Sequence, residues 1–191
     1  MLIGLCGKSG CGKSTLARAI AQATDGLHVD MDKIGHSVNM LPAVKDELRA
    51  TFGDSIFTKD ETVDRKKLAA IVFNSPKDME LLTNITWKPI EHITDYILDS
   101  NKHSVIVLDW LLLPKTKYFD MCDYTILLDV PYEVREQRAI ARDGISADQF
   151  KTREKASVDY NAANFNLVLS DTSNIDSQQV IKMIQEAQHN E

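Results

Sequence analysis

No stretch of this 191-residue chain stays apolar over the ~18 consecutive residues that a membrane-spanning helix needs, so membrane insertion is not expected. Also missing is the basic n-region and small-residue cleavage site of a secretory signal: Met1 leads straight into a short apolar run and a glycine-rich loop, and a cytoplasmic protein is expected. Cysteine is scarce. Cys6, Cys11 and Cys122 form an odd set with neither CxxC nor metal-ligand spacing, which argues against a disulfide framework or zinc site and for reduced thiols. There is no basic excess either. Lys and Arg number 22 against 28 Asp and Glu, and no basic cluster stands out, which speaks against grip on a nucleic-acid backbone. Small anions remain possible partners, because a few cations in a pocket can oppose the overall charge. The five histidines lack metal-ligand spacing, and His36 and His92 read as partly exposed helix positions. With no repeat or low-complexity segment, and with 43% hydrophobic and 26% charged residues, the chain has the make-up of one packed domain.

Apolar runs and helical periodicities alternate along the chain. Short runs at 2–6, 27–29, 105–108, 124–128 and 167–169 are apolar on both faces, as buried parallel strands are. Helical spacing of apolar residues marks 13–23, 42–52, 64–73, 75–98, 132–142, 147–158 and 177–187, with a kink expected at Pro89. The alternation predicts an α/β fold: a mainly parallel five-stranded sheet covered by helices on both faces, with an all-helical insert at about 41–102 set into a core of 1–40 and 103–191.

The most informative segment follows the first strand. Gly7, Lys8, Ser9, Gly10, Cys11, Gly12, Lys13 and Ser14 match GxxxxGK[ST] in full, and Thr15 continues into the helix. Average composition gives a chance match of only about 1% in a chain this size. Strand, glycine loop and helix in that order are the context in which the motif cradles phosphate. The glycines let successive N–H groups turn inward, and the helix N-terminus favours negative charge. Lys13 then bridges the β- and γ-phosphates and the Ser14 hydroxyl ligates Mg2+, so ATP or GTP is the expected nucleotide.

The runs GLCGKSGCGKSTLA, HVDMDKIGHSV, FGDSIF and VDRKKLAAIVFNSPKDMELLTNIT resemble, in order and spacing, the dephospho-coenzyme A kinase family. That family carries a G-x-GSGKST loop, a VIDAD-I segment, an FG-x-x-I turn, an NR-x-x-L-x-x-x-VF helix start and an ITHP segment. The likeness continues through VIVLD and CDYTILLDVPYEVREQRAIARDGIS and, more weakly, LVLSD, so it covers nearly the whole chain. It implies a P-loop kinase-like three-layer sandwich with an acceptor-binding insert and a lid at about 142–158. It also implies transfer of the terminal phosphoryl group of ATP to the 3′-hydroxyl of dephospho-coenzyme A, by a monomer or weak homo-oligomer. Three segments depart from the pattern: Trp87-Lys88 replace His-Pro after Ile85-Thr86, with the proline displaced to Pro89; WLLLPK replaces PLLFE, with Trp110 for the proline and no acidic residue; and R-x-x-x-Q ends at Ser157 instead of glutamine. The departures cluster where the family handles its acceptor. A nucleoside or nucleotide kinase is therefore the alternative reading, and a regulatory nucleotide-binding module a third.

By this resemblance Asp32 orients the acceptor hydroxyl, and Asp30 assists through the magnesium hydration shell. Arg138 and Arg142, four apart on one helix face, would stabilise the charge on the transferring phosphoryl, joined by Arg153 when the lid closes. Asp109, at the end of an apolar strand, is placed like a Walker B carboxylate for magnesium, or else caps a turn. Arg65 lies near the acceptor's phosphate-bearing end, unless Asp64 simply caps a helix. Trp87, Trp110 and Tyr118 either stack on the acceptor or fill the core. Arg135 is expected at the surface.

Overall fold

A computed structural model describes residues 1–155, 157–170 and 177–188, the last two without their side chains. Residue 156 of the expected lid, and residues 171–176 and 189–191, lie outside the described residues. In chain order the elements are β1 (Leu2–Gly7), α1 (Lys13–Ala23), β2 (Leu27–Asp30), α2 (Met31–Val38), α3 (Pro42–Phe52), α4 (Arg65–Val72), α5 (Pro76–Ser100), β3 (Ile106–Asp109), α6 (Lys117–Met121), β4 (Tyr124–Leu128), α7 (Tyr132–Asp143), α8 (Ala147–Lys155), β5 (Leu167–Leu169) and α9 (Ser177–Gln188). They divide into two compact units, residues 1–31 with 102–191, and residues 32–101.

The first unit is built on a five-stranded sheet ordered β2-β3-β1-β4-β5, every pairing parallel. Alternation along each strand sorts its side chains into two layers. Ile3, Leu5, Val107, Ile126 and Leu128 join Leu16 and Ile20 of α1 and Val180 and Ile184 of α9 in one buried cluster. On the opposite face the chain must come close to Gly4, where an added Cβ would lie 2.7 Å from Leu113 Cδ2 and 2.8 Å from Cys122 Sγ. The segment around a 3-10 turn at Leu113–Lys115 and helix α6 therefore seals that side. Parallel strands bring all their carboxyl ends to one edge, and ligands of such sheets gather there, where the strand order reverses. Gly7, Asp30 and Asp109 are the last residues of β1, β2 and β3.

The second unit is helical around its own core of Val44, Leu48, Ile56, Phe57, Leu68 and Val72. Asp64 caps α4, accepting from the Lys66 and Lys67 N–H groups at 3.1 and 3.2 Å, while Ser75 caps α5 from the Asp78 N–H at 3.2 Å. Helix α5 continues past Pro89 to Ser100. Helix α2 holds His36 at a half-buried helix position, as expected, but its bounds were not read from the sequence. Its signal was present, since Met31, Ile34 and Val38 recur at helical spacing and all three are buried.

Ile126, on a central strand, is fully buried among α1, α9 and the neighbouring strands. Ile126→Ala is expected to cost about 2–5 kcal/mol of folding stability, measured as the shift in a urea unfolding midpoint.

Candidate active site

Three glycines set the backbone between β1 and α1. Gly7, Gly10 and Gly12 have φ of +146°, +83° and +97°, conformations that residues with a Cβ rarely adopt. At Gly10 the need is also steric, since a Cβ there would lie 2.3 Å from the Arg135 carbonyl oxygen. Within the loop the Cys11 N–H donates to the Lys8 carbonyl at 3.2 Å, and α1 begins at Lys13 with no side-chain cap. Its first turn therefore presents N–H groups that a helix cannot satisfy internally. An anion is the natural partner of such a turn.

Side chains from the far end of the chain hold this loop from outside. The Tyr160 hydroxyl accepts from the buried Gly7 N–H at 3.2 Å and donates to the Leu111 carbonyl at 2.8 Å. Lys8 Nζ donates to Glu154 at 2.9 Å. Arg135 is not at the surface as its sequence context suggested; it is 5% exposed. The reason is that it shares the inward face of α7 with Ala139 and finds a partner for nearly every donor. Nε donates to the Val130 carbonyl at 2.8 Å, and Nη1 and Nη2 donate to Glu154 at 2.8 and 2.9 Å, with Nη1 also 3.4 Å from the Ser9 carbonyl.

Beneath the loop, Asp30 and Asp109 are register partners on adjacent strands. Burial pushes the Asp109 carboxyl up, but a hydrogen bond from His28, the Lys13 charge and the Ser14 hydroxyl together outweigh it and hold the group below its ordinary value. His28 Nε2 lies 3.4 Å from Asp109 Oδ2. Lys13, Ser14 and Asp109 thus form one charged cluster. Cys11, inside the loop, is no nucleophile. Burial foremost raises its pKa and that of Cys6, and pushes Cys122 to about 12, so the three free cysteines are protonated at neutral pH.

The other expected site residues are scattered more widely. Asp32 lies in the first turn of α2, exposed, two residues beyond Asp30. Arg65 is the exposed first residue of α4, and Trp87 is half-buried on α5. Trp110 and Tyr118 are core residues, 4% and 0% exposed, with ring centroids 6.4 Å apart. Arg138 is half-buried on α7. Arg142 and Arg153 both bind Asp143, at 2.7 and 2.6 Å, an arrangement that the sequence did not suggest. Among the described residues no three His, Cys, Asp or Glu side chains cluster as a metal cage. Magnesium needs none where phosphate, water and one or two protein oxygens complete its shell, and the Ser14 hydroxyl with its partner Asp109 suits that role.

The sequence model of dephospho-CoA kinase matches residues 1–176. The chain belongs to this family. A dephospho-CoA kinase of Aquifex aeolicus is 37% identical over 159 residues, covering 80% of this chain and 78% of that relative. In fold, the dephospho-CoA kinase of Campylobacter jejuni superposes with a TM-score of 0.63 at 24% identity, over 100% of this chain and 98% of that one. TT1252 of Thermus thermophilus reaches 0.81 at 24% identity, over 98% and 97%. The dephospho-CoA kinase family is one of P-loop kinases, and the parallel sheet with its glycine loop after β1 is their architecture.

The arginine pair on Asp143 has a measurable signature. Hydrogen bonding from Arg142 foremost, then from Arg153, outweighs partial burial and holds the Asp143 carboxyl at about 2. A depressed carboxyl stabilises the fold above its unfolded pKa of about 3.9 and loses that contribution as pH falls through the folded value. Asp143→Asn should therefore melt below the parent protein at neutral pH. The gap should close in melting curves taken toward pH 2.

Proposed function

We propose that this chain transfers the γ-phosphoryl group of ATP to the 3′-hydroxyl of dephospho-coenzyme A, forming coenzyme A and ADP. The observation that carries this reading is the family match over residues 1–176, which includes the whole glycine loop and the Lys13, Ser14, Asp30 and Asp109 positions. The loop N–H groups and the first turn of α1 take the phosphate oxygens, and Lys13 neutralises the β- and γ-phosphates. Ser14, with Asp30 and Asp109, would hold a magnesium ion, which would supply positive charge against the phosphates. His28 fixes the Asp109 carboxylate in orientation by hydrogen bonding.

On the acceptor side, Asp32 orients the hydroxyl for in-line attack. The acceptor oxygen bonds to the γ-phosphorus as the bond to the bridging oxygen of ADP breaks, and the hydroxyl proton leaves late, through Asp32. A carboxylate with an ordinary pKa of about 3.9 is a weak base, so alignment is its main contribution. Arg138, Arg142 and Arg153 offset the charge spread over the transferring oxygens and help exclude water, which requires Arg142 and Arg153 to exchange Asp143 for phosphate. Arg65 and Trp87 contact the acceptor. The partner is thus a small molecule, with no nucleic acid, and the working place is the cytoplasm. Among the described residues no helix is long and apolar enough to cross a membrane.

One observation favours a second acceptor class. Trp87-Lys88 stand where the family carries His-Pro, which suits a nucleoside or nucleotide acceptor on the same scaffold. Labelled ATP offered with dephospho-coenzyme A, nucleosides and nucleoside monophosphates separates the two, and labelled coenzyme A is the expected product. Asp32→Asn is expected to reduce transfer at least about 100-fold while ATP still binds, the scale of losing a positioned group at the reacting centre. Near-parental turnover in that variant would remove Asp32 from the mechanism.

A further inference from the structure

A glycine loop binds phosphate well only if its amides are already aimed, because its three glycines with left-handed φ carry more conformational freedom than residues with a side chain. The loop's own bond, from the Cys11 N–H to the Lys8 carbonyl at 3.2 Å, is joined by tethers from outside. Three successive loop residues are held by side chains from elsewhere: Gly7 by Tyr160, Lys8 by Glu154 and Ser9 by Arg135. Glu154 belongs to two of these tethers. Its Oε1 accepts from Lys8 Nζ and Arg135 Nη2, both at 2.9 Å, and its Oε2 from Arg135 Nη1 at 2.8 Å. Its side chain is only 18% exposed, against 34% for Lys8 and 6% for Arg135. Hydrogen bonding from Arg135 foremost, opposed by burial and assisted by Lys8, keeps the carboxyl ionised below its usual range.

We infer that Glu154 is a positioning residue for nucleotide binding: by holding Lys8 and the Arg135 guanidinium on one carboxylate, it fixes the glycine loop against α7 and α8. Two consequences follow from the geometry. The Lys8 ammonium is spoken for, so Lys13 is the loop lysine that reaches phosphate, although both lie in the same motif. Arg135 also acts through its backbone, because its carbonyl is the wall against which Gly10 is packed. Any shift of α7 that followed loss of the Arg135–Glu154 pair would therefore be felt in the loop. Charge-assisted bonds of this kind, sheltered from water, are strong enough to set a loop conformation.

The inference rests on the reading that this loop binds ATP, and its test needs no acceptor. Lys8→Met, Glu154→Gln and the double variant are compared with the parent by binding of a fluorescent ATP analogue, by KM and kcat with dephospho-coenzyme A, and by thermal melting. Lys8→Met leaves the Arg135–Glu154 pair in place, so its fold and melting temperature should be kept. Each single variant is expected to weaken analogue binding and raise the KM for ATP by about 5–10-fold, with kcat within about twofold, as for a lost ground-state interaction. The double variant should be no worse than Glu154→Gln alone, because that change already breaks the Lys8–Glu154 contact which Lys8→Met removes. Parental binding by Lys8→Met, tighter binding by Glu154→Gln, or losses that multiply in the double variant would each overturn the inference. Failure of the parent to bind the analogue would overturn it together with the nucleotide reading. A parent that binds the analogue yet leaves dephospho-coenzyme A untouched would sink only the acceptor assignment.

Discussion

The structure depends on a reversal of backbone direction in five residues, from the end of a buried strand at Gly7 to the start of a helix at Lys13. That turn is possible only with glycine at the left-handed positions, and at Gly10 it is also squeezed against the Arg135 carbonyl. Much else in the first unit follows from keeping this turn open and stationary. β1 is the central strand with a partner on each side, so its end cannot fray. α1 is anchored through Leu16, Ala17, Ile20 and Ala21, which fixes the direction of its N-terminal N–H groups. Tyr160 and Glu154 reach back across 153 and 146 positions of chain to hold the loop. A turn made from the most flexible residue type is thereby held rigid by its surroundings.

Electrostatics around the loop are balanced, because the buried Asp109 and Arg135 each have an oppositely charged neighbour. Asp109 is buried, which alone would favour its neutral form, yet Lys13, Ser14 and His28 together keep it ionised. Arg135 is also buried and is matched by Glu154, which Lys8 also neutralises. A buried ion pair of this kind adds little stability compared with an apolar replacement, but removing one partner leaves an uncompensated charge. The pairs therefore specify one arrangement of loop, strand ends and flanking helices. Arg142 and Arg153 differ, because their shared partner Asp143 lies where solvent reaches it.

Sequence reasoning located the parts that short-range patterns encode. The glycine motif, the five strands and the Asp30 and Asp109 strand ends were all legible, because a strand apolar on both faces and a GxxxxGK[ST] loop are contiguous signals. The extent of helix α2 was not read, although Met31, Ile34 and Val38 carry its period; it follows β2 with no intervening turn residue to mark its start. Arg135 was misplaced for a different reason. On a helix with Arg138 and Arg142, nothing local marks which arginine turns inward, and its burial is decided by Glu154, 19 positions away. Tyr160 and Glu154 were invisible for the same cause: their partners are distant in sequence, and a single tyrosine or glutamate carries no period. His28 was the one long-range participant with a readable hint, a polar residue two before Asp30 on the same face of an otherwise apolar strand.

The departures from the family pattern do not all bear on the acceptor once each side chain has a place. Trp110 replaces a family proline, yet it is buried against Tyr118, and its N–H donates to the Leu5 carbonyl at 3.1 Å from the backbone position that a proline could not use. The substitution is thus absorbed by the fold: the ring fills core volume and the freed amide joins the end of β1. An argument for a changed acceptor drawn from Trp110 loses its force. Trp87 is the contrary case, half-buried on a helix of the second unit, with Lys88 exposed beside it. Of these two departures, the one at Trp110 is thus explained by the core, while the one at residues 87 and 88 of α5 is not.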